Sequence, residues 1–326
     1  LRNLYNRSNG KNTIKGKAME KIIDIHAHLG DICYPNGGAL IEKKGIKKKR
    51  MLDPVSLSEW INHRFDQLDD GEIDVDGWLY KKTVESELER NFAGTRENFK
   101  KSMVKAGVTH SVALPIPPRV TFEDLKISAH KDPSIIPFSG IDFTREYDVQ
   151  ATLDQDVRDG ARGIKLHPIL QNEKLTSKRT FEAVEAFAAH DLPVLVHTGI
   201  SDYYLNEGDK KNLQRPEYGE IRYFLELVMA FPKVKFVAGH AGLSQWLEIK
   251  EMAAVHKNVY IDCTFKGVKT VQELIDAFGP ERVLFGSDWP WGYRRPALRI
   301  MKKACKGDKH LEKRIFYENA AELLRI

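Results

Sequence analysis

Eight short apolar, β-branched runs alternate with amphipathic stretches along this chain, and no hairpin signal joins any two of them. The runs are residues 21–26, 109–114, 135–141, 163–166, 193–197, 235–240, 259–264 and 282–287. Apolar residues at helical spacing fill 95–105, 149–158, 179–189, 218–231, 244–256 and 270–278, and 296–326 reads as two closing helices. Strict alternation of this kind predicts a parallel sheet with crossover helices. Eight such units predict an α/β fold closed into a (β/α)8 TIM barrel. Without residues 1–18 and the stretch 30–93, about 244 of the 326 residues remain, close to the roughly 250 of a plain barrel. An open doubly wound sheet would want a glycine-rich phosphate turn after the first run, where His26-Ala27-His28 stands instead.

Met19 directly precedes the first run, so residues 1–18 read as a basic extension outside a single barrel of residues 19–326. Residues 30–93 interrupt the pattern between the first two strands and carry a basic run, Glu42 to Arg50, and an acidic one, Asp66 to Asp76. Charge runs are usually solvated surface. This one follows the strand end where barrel active sites form, so it is expected to supply a lid or an oligomer contact.

A net charge of +5 invites a nucleic-acid reading, but residues 1–21 alone hold six basic side chains and one acidic, which is the whole excess. The rest is balanced and predicts no phosphate-binding face. No apolar stretch is long enough to span a bilayer, and no signal peptide is read at the start. Cys33, Cys263 and Cys305 are scattered, with no metal knuckle or disulfide framework, which fits a reducing cytoplasm. The expected partner is a small molecule.

Polar residues gather directly after the apolar runs. Alternate side chains of a strand share a face, which groups Asp24, His26 and His28 opposite Ile23 and Ile25. Packing the apolar pair against the helices turns the two histidines toward the barrel axis. His197 ends the fifth run, His240 the sixth, and Asp288 follows the eighth. One such residue is an ordinary strand terminus, but several on one rim converge in space. Three imidazoles and one carboxylate, from His26, His28, His197 and Asp288, suit one Zn²⁺ or another divalent ion with a position left for water. Such an ion brings the pKa of bound water near 7; Asp288 is placed to take its proton and His240 to orient the water or polarise the substrate. Ala238 and Gly286 are small and leave room beneath the metal. His63, His110, His130, His190, His256 and His310 read as surface residues.

These motifs, Ile23-Asp24-Ile25-His26-Ala27-His28, Gly163-Ile164-Lys165-Leu166-His167-Pro168, Val196-His197-Thr198, Gly239-His240-Ala241-Gly242 and Gly286-Ser287-Asp288-Trp289-Pro290, occur in the order that resembles the amidohydrolase superfamily, in its amidohydrolase-related (amidohydrolase 2) branch. The resemblance covers roughly residues 19–326. It implies that His26, His28, His197 and Asp288 bind metal, that His240 is a catalytic acid/base, and that water is delivered to a carbonyl or similar centre. Lys165 is expected on the catalytic face. By resemblance to binuclear members it would be carboxylated and bridge two metals; otherwise it pairs with a carboxylate or holds an anionic substrate, and the branch favours one metal.

The leading expectation is a hydrolase acting on a C–O or C–N bond of a small molecule, carboxylated if the arginines after the strands clamp it rather than stand as ordinary loop charges. His167, Arg119 and Arg294 are candidate substrate contacts, Arg295 is a further cation at that end, and Tyr203, Tyr204, Trp289 and Trp291 are candidate pocket walls. The alternative is a metal-dependent, non-oxidative decarboxylase of an aromatic or enol-type acid, which the same branch includes. A non-catalytic ligand carrier ranks below both, because a carrier has no need of His240 beside an open metal site.

Overall fold

The structure, a computed structural model, describes residues 21–65, 77–205 and 208–326. The basic extension and the acidic run 66–76 lie outside the described residues. The strands are β1 (Ile23–Asp24), β2 (His110–Ala113), β3 (Ile135–Pro137), β4 (Ser139–Gly140), β5 (Ile164–Leu166), β6 (Val194–His197), β7 (Phe236–Gly239), β8 (Val259–Asp262) and β9 (Val283–Leu284). All ladders are parallel, in the orders β1-β2-β3 and β4 through β9. Since β3 and β4 are halves of one stave joined at Phe138, the nine strands make eight staves. The ring closes between first and last: Ile25 N–H donates to the Phe285 carbonyl at 2.9 Å, and Ala27 bridges Trp289 in parallel. The molecule is the (β/α)8 barrel that the alternation predicts.

Helices follow the strands, and side-chain caps fix the starts of several of them. Thr95, Asp148 and Ser177 each accept a backbone N–H at a helix start, a contact worth about 1 kcal/mol. Helix Phe122–Lys131 follows β2 and was not legible from apolar periodicity; its signal was the capping box of Thr121 and Asp124. The 30–93 stretch forms helices Pro54–Phe65 and Trp78–Asn91. At the C-terminus, helix Arg294–Ala304 is followed by a second one that runs from Lys309 through a π turn at Arg314–Glu318 to Leu324.

Two cores result. Ile23, Ile25, Val112, Leu114, Ile136, Phe138, Leu195, Val237 and Leu284 pack with one another across the staves, which only the barrel interior allows, and Ala320, Leu323 and Leu324 cap that cluster. The larger cluster lies between staves and helices and takes the alternate strand positions, such as Val194, Val196, Phe236 and Ala238.

This partition corrects the parity expected of the first strand. Ile23 and Ile25 face the interior, and Asp24 faces the helix shell, where it meets Arg294. His26 and His28 still reach the barrel mouth because the regular pleat ends at Asp24. Both Ser287 N–H and Asp288 N–H donate to the one His26 carbonyl, a two-against-one pairing that re-aims the side chains beyond it.

Candidate functional site

His26 and His28 are held at their Nδ1 atoms. Nδ1 of His26 lies 2.8 Å from Asp262 Oδ2, and Nδ1 of His28 lies 3.0 Å from the Leu114 carbonyl. Both partners only accept, so each Nδ1 carries the proton and each Nε2 presents a lone pair. Burial, with the neighbouring Lys165 ammonium, depresses both imidazole pKa values well below the usual range and keeps the rings neutral. The two Nε2 atoms converge on Asp288 Oδ1, at 3.5 Å from His26 and 3.4 Å from His28. That oxygen is buried and has no hydrogen-bond donor among the described residues.

Three acceptor atoms facing one another without a donor at Asp288 Oδ1 are costly to bury unless a cation lies between them. Imidazole nitrogens plus a carboxylate are the donor set of Zn²⁺ and similar ions, and His26, His28 and Asp288 fit such a group. The carboxylate–imidazole contact of Asp262 with His26 is the usual support behind a metal-ligating histidine. A second trio, His26, His240 and Asp262, also lies within ligating reach. Sequence reasoning missed Asp262, although an acidic residue ending an apolar strand gave the same signal as His240.

His240 stands beside the trio, its Nε2 3.9 Å from Asp288 Oδ2. Its ring lies 4.6 Å from His26 and stacks on Phe265 at 5.7 Å. Its Nδ1 is buried without a partner among the described residues, and burial lowers its pKa well below the usual value. The backbone is unusual here: His240, Ala241, Gly242 and Leu243 all have positive φ, at 62°, 44°, 83° and 50°, and Asp288 has φ 52°. Close packing sets the neighbouring glycines. A Cβ on Gly239 would lie 2.9 Å from the Val196 carbonyl and 3.0 Å from His26, and one on Gly286 would lie 2.9 Å from Asp262. Gly239, not the shell-facing Ala238, is the small residue beneath the site.

His197 is next to the trio but turned aside. Its Nε2 lies 3.1 Å from the Gly199 carbonyl and its Nδ1 3.3 Å from the Tyr203 hydroxyl. The same hydroxyl is 2.9 Å from His167 Nε2, and the His167 and His197 rings stack at 4.3 Å. Lys165 is fully buried with Nζ 3.4 Å from His26 Nε2. Burial lowers its pKa to about 8, against the pull of Asp288 and Asp262.

The arginines are elsewhere. Arg294 is 1% exposed; its Nε donates to Asp24 at 2.8 Å and its Nη2 to Ser111 at 3.0 Å, on the shell side. Arg119 donates to the Leu170 carbonyl at 2.7 Å, Arg295 is exposed, and neither lines the cavity over the site. Following a strand in sequence does not decide which side of the barrel a side chain takes. Of the four aromatics, Tyr203 and Trp291 line that cavity, whereas Trp289 packs on Phe99 and the Tyr204 hydroxyl donates to the Cys33 carbonyl. None of the six histidines read as surface residues is buried.

The cavity holds about 520 Å³, within the usual range for small-molecule sites. His197, His240 and Asp288 form its floor, and both helices of the 30–93 stretch form its wall. Among the described residues no helix is long and apolar enough to cross a membrane.

Residues 23–326 match the amidohydrolase family (Amidohydro_2). No curated protein matches the sequence. Among solved structures, a mutant form of 5-carboxyvanillate decarboxylase LigW2 of Novosphingobium aromaticivorans, with bound manganese and 3-methoxy-4-hydroxy-5-nitrobenzoic acid, is similar at 14% identity and TM-score 0.62. The likeness covers 95% of this chain and 99% of that one. A probable 2-pyrone-4,6-dicarboxylic acid hydrolase of Acinetobacter baumannii, with citric acid bound, is 13% identical at TM-score 0.56, over 94% and 100%. A 2,6-dihydroxybenzoate decarboxylase from Rhizobium is 13% identical at TM-score 0.59, over 94% and 99%. At such identity these likenesses speak for the fold.

Proposed function

Because this chain belongs to the amidohydrolase family, whose solved relatives include hydrolases and decarboxylases, we propose that it is a metal-dependent hydrolase cleaving a C–O or C–N bond of a small molecule. The observation that carries this reading is Asp288 Oδ1, buried and undonated between two imidazole nitrogens. His26, His28 and Asp288 would hold one divalent cation, Zn²⁺ or a similar ion, with His197 as the fourth candidate donor. When bound, the cation supplies Lewis acidity toward a substrate carbonyl and toward water.

The rest belongs to the side chains. His240, neutral and stacked on Phe265 with its Nε2 toward Asp288, would take a proton from the reacting water and return it to the leaving group. Asp288 keeps Oδ2 directed at His240, so a proton released in the cavity has two acceptors within one site. Lys165 sets a positive charge below the trio. Helices Pro54–Phe65 and Trp78–Asn91 cover the mouth and narrow the access of bulk water.

The second reading is non-oxidative decarboxylation, favoured by the decarboxylases among the structural neighbours. A panel of lactones, amides and hydroxybenzoates, scored for acid release against CO₂ release, separates the two. The metal reading is tested with His26→Ala/His28→Ala, which should lose most of its roughly one equivalent of metal while staying folded. Asp288→Asn and His240→Asn should each lose at least about 10²-fold in turnover. Full metal retention in the double variant, or wild-type turnover in both single ones, sinks the reading.

A further inference from the structure

The cavity above the trio is lined by more carboxyls than Asp288 alone. Glu87 on helix Trp78–Asn91 and Asp202 after β6 both line it, whereas no Lys or Arg among the described residues does. The two carboxyls reach the same space from the 30–93 stretch and from a barrel loop. Asp202 is held in place by the Gln214 amide at 3.0 Å, but Glu87 makes no hydrogen bond or ion pair among the described residues. Arg90, the nearest candidate, is spent on Asp53, on Ser56 and on the Trp291 carbonyl.

An independent feature points to a ligand beside these two carboxyls. Trp291 is 4% exposed and lines the cavity, yet its indole N–H has no acceptor among the described residues. A buried donor left unpaired costs about 1–3 kcal/mol, and an acceptor on a bound molecule would remove that cost. Glu87 is under similar stress: burial pushes its pKa up to about 7.

We propose that the cavity over the trio contains a cation subsite, in which Glu87 and Asp202 receive the protonated amine of the substrate and the Trp291 indole donates to a carbonyl or hydroxyl of the same molecule. This makes the substrate class an amine-bearing ester, lactone or amide, and it replaces the carboxylated substrate expected from Arg119 and Arg294. The inference rests on the proposed function only in taking this cavity as the substrate pocket.

The test uses the metal-loaded protein and three probes of one shape: benzylamine, benzyl alcohol and benzenesulfonate, titrated calorimetrically at about pH 7.5. Benzylamine should bind at least about tenfold tighter than benzyl alcohol, a difference of about 1.4 kcal/mol, with benzenesulfonate weakest. Glu87→Gln/Asp202→Asn should bring benzylamine to within about twofold of benzyl alcohol, with benzyl alcohol affinity and metal content unchanged. Glu87→Asp, which keeps the charge, should retain the preference. Equal or undetectable binding of the three probes, or a preference that survives loss of both carboxyls, overturns the proposal. Metal content reads the trio separately, so loss of the metal reading and loss of the cation subsite are distinguishable.

Discussion

Replacing Arg294 with methionine should destabilise the barrel through Asp24. The pair is fully buried, with Arg294 Nε 2.8 Å from Asp24 Oδ2 and the guanidinium over the Phe99 ring at 4.3 Å. Methionine keeps most of the packing on Phe99 and Trp289 but leaves Asp24 with hydrogen bonds from Ser287 and the His26 N–H alone. Removing one partner of a buried pair costs about 3–5 kcal/mol, because the other charge stays uncompensated. That is two or more decades in the folded-to-unfolded ratio.

Burial already raises the Asp24 pKa, and Arg294 is the largest opposing influence. Without Arg294 the folded-state pKa rises further above the unfolded value. A carboxyl raised on folding is destabilising above its unfolded pKa, so stability falls as pH climbs from that value through the folded one. Urea unfolding followed by tryptophan fluorescence should therefore find Arg294→Met less damaging at about pH 5 than at about pH 7. Adding Asp24→Asn should recover much of the loss. A single variant within about 1 kcal/mol of wild type at neutral pH, or a double variant no better than the single, would refute this account.

Two further outcomes follow from the site. Asp262→Asn removes the carboxylate behind His26 Nδ1 and should weaken metal binding by about 10–100-fold without abolishing it, read by competition with a chelator; unchanged affinity would mean that Asp262 does not support a ligand. Lys165→Ala should keep the single metal while lowering turnover or substrate affinity, and excess Zn²⁺ with bicarbonate should not raise wild-type content toward two equivalents. Two ions bridged by a carboxylated Lys165 in a metal-loaded crystal would overturn that.

Alternation of strand and helix carried the barrel because periodicity of 2 and of 3.6 is written directly in apolar spacing. The strand-end residues His26, His28, His240 and Asp288 are candidates for a related reason: a polar side chain closing an apolar run has few places to go in a barrel. What failed was side. Parity put Asp24 with the histidines, and only the shared His26 carbonyl shows why the pleat stops there. Arg294 looked like a mouth residue because it follows the last strand, yet helix Arg294–Ala304 turns it back to Asp24. Glu87 reaches the cavity from a stretch that has no barrel periodicity, so no strand register pointed to it.

The left-handed backbone at His240 and Asp288 sets stability against chemistry. Residues other than glycine held there give up of the order of 1 kcal/mol or more, and the run from His240 to Leu243 concentrates that strain at one rim. Glycine would relax both positions, yet the chain keeps an imidazole and a carboxylate there. Heat tolerance and reactivity thus pull the same two residues in opposite directions. A screen rewarded only for robustness would discard the reactive groups first, so any hardened form of this barrel has to draw its extra stability from the shell and leave the rim strained.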